Sequence, residues 1–223
     1  MTEVVEFLEK GGVIMIPILV FSVVALAIFL ERLVALRSSL VIPRDFLALV
    51  RKKIEAGAPG EALVLCEGNK STLAAVLASG VRRAGRPRQV VKEAFEEVGR
   101  IEVTHLGKYV ELLGTIAAVT PLLGLLGTVI GMIDVFRAVV AEVGQTAGAV
   151  NAASLAGGIW AALLTTAAGL SVAIPTYLGY RYLLSRVDDL SIEMEEVSLE
   201  LLDTLAPDDA ISVAGTTDSG TDA

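Results

Sequence analysis

The chain is poor in the residues that carry most catalytic and metal chemistry. Its 223 residues include one cysteine, Cys66, and one histidine, His105. A lone cysteine excludes a disulfide framework within the chain, and one Cys with one His excludes a Cys/His zinc cluster. Cys66 is expected to be a small packing residue and His105 a helix-surface or membrane-edge residue. Aromatic residues make up only 5%, and 18 basic residues face 26 acidic ones, a net charge of −8. That balance makes nucleic acid an unsuitable partner. Nor is there a HExxH helix, and Ser22, Ser154 and Ser171 have no basic companion inside the apolar segments. The glycine run from Gly124 through Gly127 to Gly131 lacks the lysine of a phosphate loop. No enzymatic activity, metal or cofactor is expected.

What the chain has instead is apolar bulk. Hydrophobic residues make up 54%, with 21 glycines besides, and the mean hydropathy is +0.68. Three stretches are free of charge: residues 11–30, 112–133 and 143–180. A bilayer core takes about 20 helical residues. The third stretch is too long for one crossing, and its start is small and polar (Gln145, Thr146, Asn151), which puts the crossing at 155–180. The first stretch has Glu3, Glu6 and Glu9 before it, not a basic leader, and reads as a retained anchor.

Basic residues set the orientation. Fourteen lie between the first and second charge-free stretches, and Arg181 and Arg186 follow the third, whereas Lys10 and Arg137 alone fall on the opposite side. The positive-inside rule then places the N-terminus outside and the C-terminus in the cytoplasm. The resulting layout is an extracytoplasmic N-terminus at 1–10, a first span at 11–34, a cytoplasmic helical region at 35–108 and a second span at 109–136. An extracytoplasmic turn at 137–154, a third span at 155–180, a cytoplasmic helix at 181–206 and a disordered acidic tail at 207–223 complete it. The fold class is an all-α integral membrane protein whose second and third helices continue into the cytoplasm.

The three spans differ in character. The first is Val, Ile, Leu and Phe nearly all round, as suits lipid. In the second, Thr120, Gly124, Gly127, Thr128 and Gly131 share one side. In the third, Gly158, Ala161, Ala162, Thr165, Thr166 and Gly169 share a broad face. Small residues let helix backbones approach and hydroxyls hydrogen-bond across the contact. Such faces either close a helical hairpin or line a channel in an oligomer. Pro121 and Pro175 free the carbonyls of Ala117 and Ser171, which neighbouring protein or water must satisfy. No ionisable side chain lies in the charge-free interiors 11–30, 112–133 and 155–180; Glu31, Glu111 and Asp134 only bracket them. A proton relay needs such a group, so either no ion moves or a partner supplies the acid.

These residues resemble a known family. Thr120-Pro-Leu-Leu-Gly-Leu-Leu-Gly-Thr-Val-Ile-Gly-Met132, followed by Phe136, is similar to the second-span signature of ExbB/TolQ proteins, relatives of the MotA stator subunit. Ala161-Ala-Leu-Leu-Thr-Thr-Ala-Ala-Gly-Leu170, followed by Pro175, resembles their third-span signature. The resemblance implies a homopentamer in the bacterial inner membrane around a central pore, enclosing a dimer of an ExbD/TolR-like single-span protein that carries a membrane aspartate. Ion flow would then drive mechanical work for transport, envelope integrity or gliding motility. It implies pore-lining or ion-coupling roles for Thr128 and Thr166, with Thr120 and Thr165 behind them. Ala161 stands where many relatives carry a glutamate, so coupling in this chain cannot depend on one there. The competing reading is an ion-silent oligomeric membrane scaffold.

Overall fold

The structure is a computed structural model that describes residues 12–145 and 152–206. The expected N-terminal segment 1–10 and the tail 207–223 lie outside the described residues, as does 146–151 within the expected turn. Among the described residues the secondary structure is helical, with no strand. The helices are α1 (Met15–Ala35), α2 (Ser38–Val41), α3 (Arg44–Glu55), α4 (Pro59–Gly68), α5 (Thr72–Val81), α6 (Arg88–Gln145) and α7 (Ala152–Leu205). Three of them, α1, α6 and α7, contain stretches long and apolar enough to cross a membrane.

The absence of a helix breaker between Lys92 and Leu112 lets α6 run unbroken for 58 residues, about 87 Å at 1.5 Å per residue. Pro121 sits inside it, and Pro175 inside the 54-residue α7. The stretch expected to turn, 137–154, is helical over much of its length, because Ala138-Val-Val-Ala-Glu-Val143 contains neither glycine nor proline. Helix α6 therefore continues to Gln145, and α7 begins at Ala152.

The described residues divide into two compact units, each assembled from separate pieces of sequence: residues 12–36 with 106–145 and 152–186, and residues 37–105 with 187–206. In the first unit α1 packs beside α6 and α7. Its end is tied down by Arg32, which is buried. The guanidinium donates to Glu31 at 2.6 and 3.0 Å and to the Leu106 carbonyl at 3.4 Å, and lies 4.6 Å over the Tyr109 ring. A buried cation needs such partners.

The second unit is a small helical domain. Gly57, at φ +72°, turns the chain after α3, and Pro59 opens α4, where only φ near −65° is required. Ser71 caps α5 by accepting from the Ala74 amide at 3.3 Å. The apolar face of α5 (Leu73, Val76, Leu77, Val81) is buried, and so are Val91 and Phe95 of α6 and Leu190, Met194, Leu201 and Leu202 of α7. Arg51 pairs with Glu200, and Arg88 pairs with Asp203 at 2.6 Å, fastening the end of α7 to α3 and α6. The ring of Phe95 lies on Gly80, where an added Cβ would come within 2.2 Å of it. Phe95 is itself buried and must shift its ring toward the neighbouring cavity to relieve the overlap, so Gly80→Ala is expected to destabilise this unit by about 1–3 kcal/mol, read as a lowered denaturant midpoint.

Cys66 is buried in the same unit. Burial, reinforced by Glu67, pushes its thiol up to about 11. The folded pKa is above the unfolded one, so the unfolded chain ionises first. Stability contributed by the protonated thiol is therefore present below pH 9 and lost as pH rises from there through about 11. At pH 8 the native protein is expected to resist a thiol reagent that modifies the unfolded chain within minutes. Rapid native modification would contradict this burial.

Candidate functional site

The small-residue faces of α6 and α7 meet each other. Gly124 and Gly169 bring the two backbones into near contact. A Cβ on Gly169 would lie 3.0 Å from the Thr120 carbonyl oxygen and 3.1 Å from the Gly124 Cα, and one on Gly124 would lie 3.1 Å from the Thr166 Cα. Farther along, Gly127 receives the Thr165 side chain, Gly131 the Ala162 methyl, and Gly158 the Val135 side chain. Leucines such as Leu122, Leu125 and Leu163 are left on the outside. This is the geometry that lets transmembrane helices associate without a hydrophobic driving force between them.

The threonines divide by surroundings. Thr120 is 0% exposed and Thr165 2%. Their hydroxyls turn back on their own helices, donating to the Ile116 carbonyl at 2.6 Å and the Ala162 carbonyl at 2.7 Å. Both are enclosed between α6 and α7 of one chain and pack the helix pair, and Thr165 also lines a groove that opens beside Ala161. Thr166 crosses the interface, donating to the Gly124 carbonyl at 3.0 Å. Thr128 is only partly buried, and its hydroxyl donates to Leu125 in its own helix at 2.7 Å. Of the four, Thr128 is the one whose hydroxyl oxygen combines partial exposure with no role in holding the helices together.

Both prolines interrupt a continuous helix. Pro121 is half-buried, and the carbonyl it frees belongs to the buried Ala117. Pro175 is exposed and lines a cavity of about 330 Å³ with Ser22, Ser171 and Thr176. Ala161 of α7 lines a groove of about 580 Å³ whose other walls are α6, with Asp134, and the segment Gly12–Ile14 just before α1. Among the described residues no group of His, Cys, Asp and Glu side chains is arranged to hold a metal.

Two parts of this site were not foreseen from sequence. One is the seating of Val135 in the gap left by Gly158, and the other is the Arg32–Tyr109 contact. Each joins residues far apart in the chain, and only the crossing of particular helices selects the pair. The signal present in sequence was a glycine on one helix and an unassigned bulky residue on another.

A family model described as the MotA/TolQ/ExbB proton channel family matches residues 68–196. A putative biopolymer transport protein ExbB homolog of Methanothermobacter thermautotrophicus is 33% identical over 199 residues, covering 88% of this chain and 67% of that protein. The putative biopolymer transport protein ExbB-like 3 of Synechocystis sp. is 33% identical over 75% of this chain and 79% of its own length. Biopolymer transport protein exbB1 of Vibrio cholerae is 29% identical over 87% of this chain and 85% of its own length. With the matched segment covering more than half of the chain and both threonine-bearing helices, the chain belongs to the MotA/TolQ/ExbB proton channel family.

Proposed function

We propose that this protein is the ring-forming subunit of an ion-driven motor of the inner membrane, without enzymatic activity of its own. Five copies surround a pore, and a dimer of an ExbD/TolR-like single-span protein sits within it. Passage of ions past the pore wall moves ring and dimer relative to one another. The relatives' description as biopolymer transport proteins favours transport as the process served, with envelope integrity and gliding motility served by the same machinery in other settings.

The observation that carries this reading is a mismatch within the spans. The hairpin of α6 and α7 brings hydroxyls and close-packed backbone to membrane depth, yet the sequence supplies no acid between Glu111 and Asp134 or between 155 and 180. Ion relay through hydrocarbon needs an ionisable group, and a partner helix in the pore is where it would come from. One elementary charge falling through 100 mV releases about 2.3 kcal/mol, enough to bias one contact per step. The N-terminus lies outside and the long ends of α6 and α7 lie in the cytoplasm in this arrangement, following the 16-to-2 distribution of basic residues.

Native mass spectrometry of the complex, co-expressed with an ExbD/TolR-like single-span protein from the same genome, tests the proposal. Five copies of this chain with two of the partner is the expected composition. A homo-oligomer that holds no acid-bearing partner, and whose function survives collapse of the ion gradient, would leave the scaffold reading in its place.

A further inference from the structure

The groove beside Ala161 extends inward from a charged mouth. Asp134 is the one ionisable side chain among its lining residues; Gly131, Ala161 and Ala162 line it with small groups, Ile130 and Val135 with larger apolar ones, and Thr165 lies at its inner end. From Asp134 to Gly127 on α6, and from Gly158 to Thr165 on α7, the lining covers seven residues of helix, about 10 Å. That is about a third of a 30 Å hydrocarbon core. The mouth must be wet, because Asp134 is 64% exposed and a carboxylate is not left bare in hydrocarbon. Arg137 touches it at 3.4 Å but is 77% exposed and does not line the groove. At about 580 Å³ the groove has room for many waters. At its inner end the Thr165 oxygen, having donated its proton to Ala162, still has lone pairs with which to accept a hydrogen bond.

We propose that this groove is a water-filled access vestibule within each protomer, reaching the level of Thr165, and that Asp134 draws cations to its mouth. The inference rests on the motor reading above, since collecting cations serves a chain that moves them. A fixed negative charge at the head of a narrow, low-dielectric cleft raises the local concentration of cations and lowers that of anions. Ala161 contributes by its size: a longer side chain at that position would block the cleft halfway down.

Thiol labelling in lipid nanodiscs, where both faces are open to solvent, tests this on the full chain. With Cys66→Ala as background, Ala161→Cys is treated with a cationic and an anionic thiosulfonate of equal size, and separately with a lipid-soluble maleimide. The expected result is modification by both water-soluble reagents, the cationic one faster. Adding Asp134→Asn should reduce the cation-to-anion rate ratio about fivefold, the effect of one unit charge about 8 Å away in water acting oppositely on the two reagents. Labelling by the maleimide alone would mean the groove is filled with lipid and would overturn the proposal. So would the absence of any labelling, which would mean the groove is closed. A rate ratio unmoved by Asp134→Asn would overturn the role given to that residue. Labelling needs no ion flux, so a hydrated, charge-selective groove in a protein that conducts nothing would refute the motor reading alone. Conduction with an unlabelled groove would refute the vestibule alone.

Discussion

Gly169→Val is expected to separate the two helices that hold the candidate pore wall. The space for a side chain at this position is already taken by backbone. The Thr120 carbonyl oxygen would lie 3.0 Å from the new Cβ, and the Gly124 Cα 3.1 Å. A flexible side chain in the way could swing aside, but two helix backbones can relieve the overlap only by moving apart. Valine adds two further methyl groups and one stiff rotamer. Overpacking of this kind costs about 1–3 kcal/mol in soluble cores, and here it also breaks the Thr166 hydrogen bond to Gly124, because that bond spans the same crossing. The melting temperature in detergent should fall by several degrees and the oligomer should be lost from size-exclusion profiles. Gly169→Ala should fall between the two, since even one carbon meets backbone on both sides. A Val variant as stable as the parent would mean that α6 and α7 do not approach this closely.

Thr128→Val is expected to do the reverse, abolishing work while leaving the protein intact. The Thr128 hydroxyl bonds only to Leu125 of its own helix, and valine has nearly the same shape, so stability should change by less than about 0.5 kcal/mol. Ion-driven activity should drop by at least about tenfold, the rate effect of removing about 1.4 kcal/mol of hydrogen bonding from the limiting step. Thr166→Val makes the informative partner. It removes a bond between helices, worth about 0.6 and at most about 1.7 kcal/mol in membrane proteins, so stability and activity should decline together. Gradient-dependent uptake measured beside native mass spectrometry separates the cases. Full activity in Thr128→Val would remove that threonine from the pore wall.

The fold was largely legible because its signals are long. Charge-free stretches of twenty or more residues announce three spans by length alone, and the absence of proline from Lys92 to Leu112, where Gly99 and Gly107 stand singly, announces one continuous helix. The small-residue faces were legible too, but their division of labour was not. Thr120 and Thr128 are eight residues apart, about 80° around an α-helix. Whether that arc carries a hydroxyl from the inside of a helix pair to its edge depends on how the second helix crosses, which periodicity does not encode. The sequence pattern therefore grouped four threonines together. In the structure Thr120 and Thr165 are enclosed, Thr166 bridges the helices, and Thr128 is left partly free. The groove at Asp134 was invisible for a related reason. Ala161 and Asp134 are 27 positions apart, and the third wall comes from Gly12–Ile14, just before α1.

The division of each compact unit into separate pieces of sequence sets the order in which the protein can be made. The helices from Ser38 to Val81 leave the ribosome early, and α5 is almost entirely apolar, yet at ten residues it is too short to span a bilayer. Phe95 arrives soon afterwards to cover Gly80. The other contributors to that core, Leu190, Met194, Leu201 and Leu202, are about a hundred residues downstream, about 5–20 s of synthesis at ordinary translation rates. During that interval α6 and the first half of α7 must be threaded through the translocation machinery. The small domain therefore closes last, when the end of α7 emerges and Glu200 and Asp203 find Arg51 and Arg88. A nascent chain whose hairpin fails to insert leaves this core open, with α5 exposed to chaperones and proteases, so the domain's completion reports that the membrane step has succeeded.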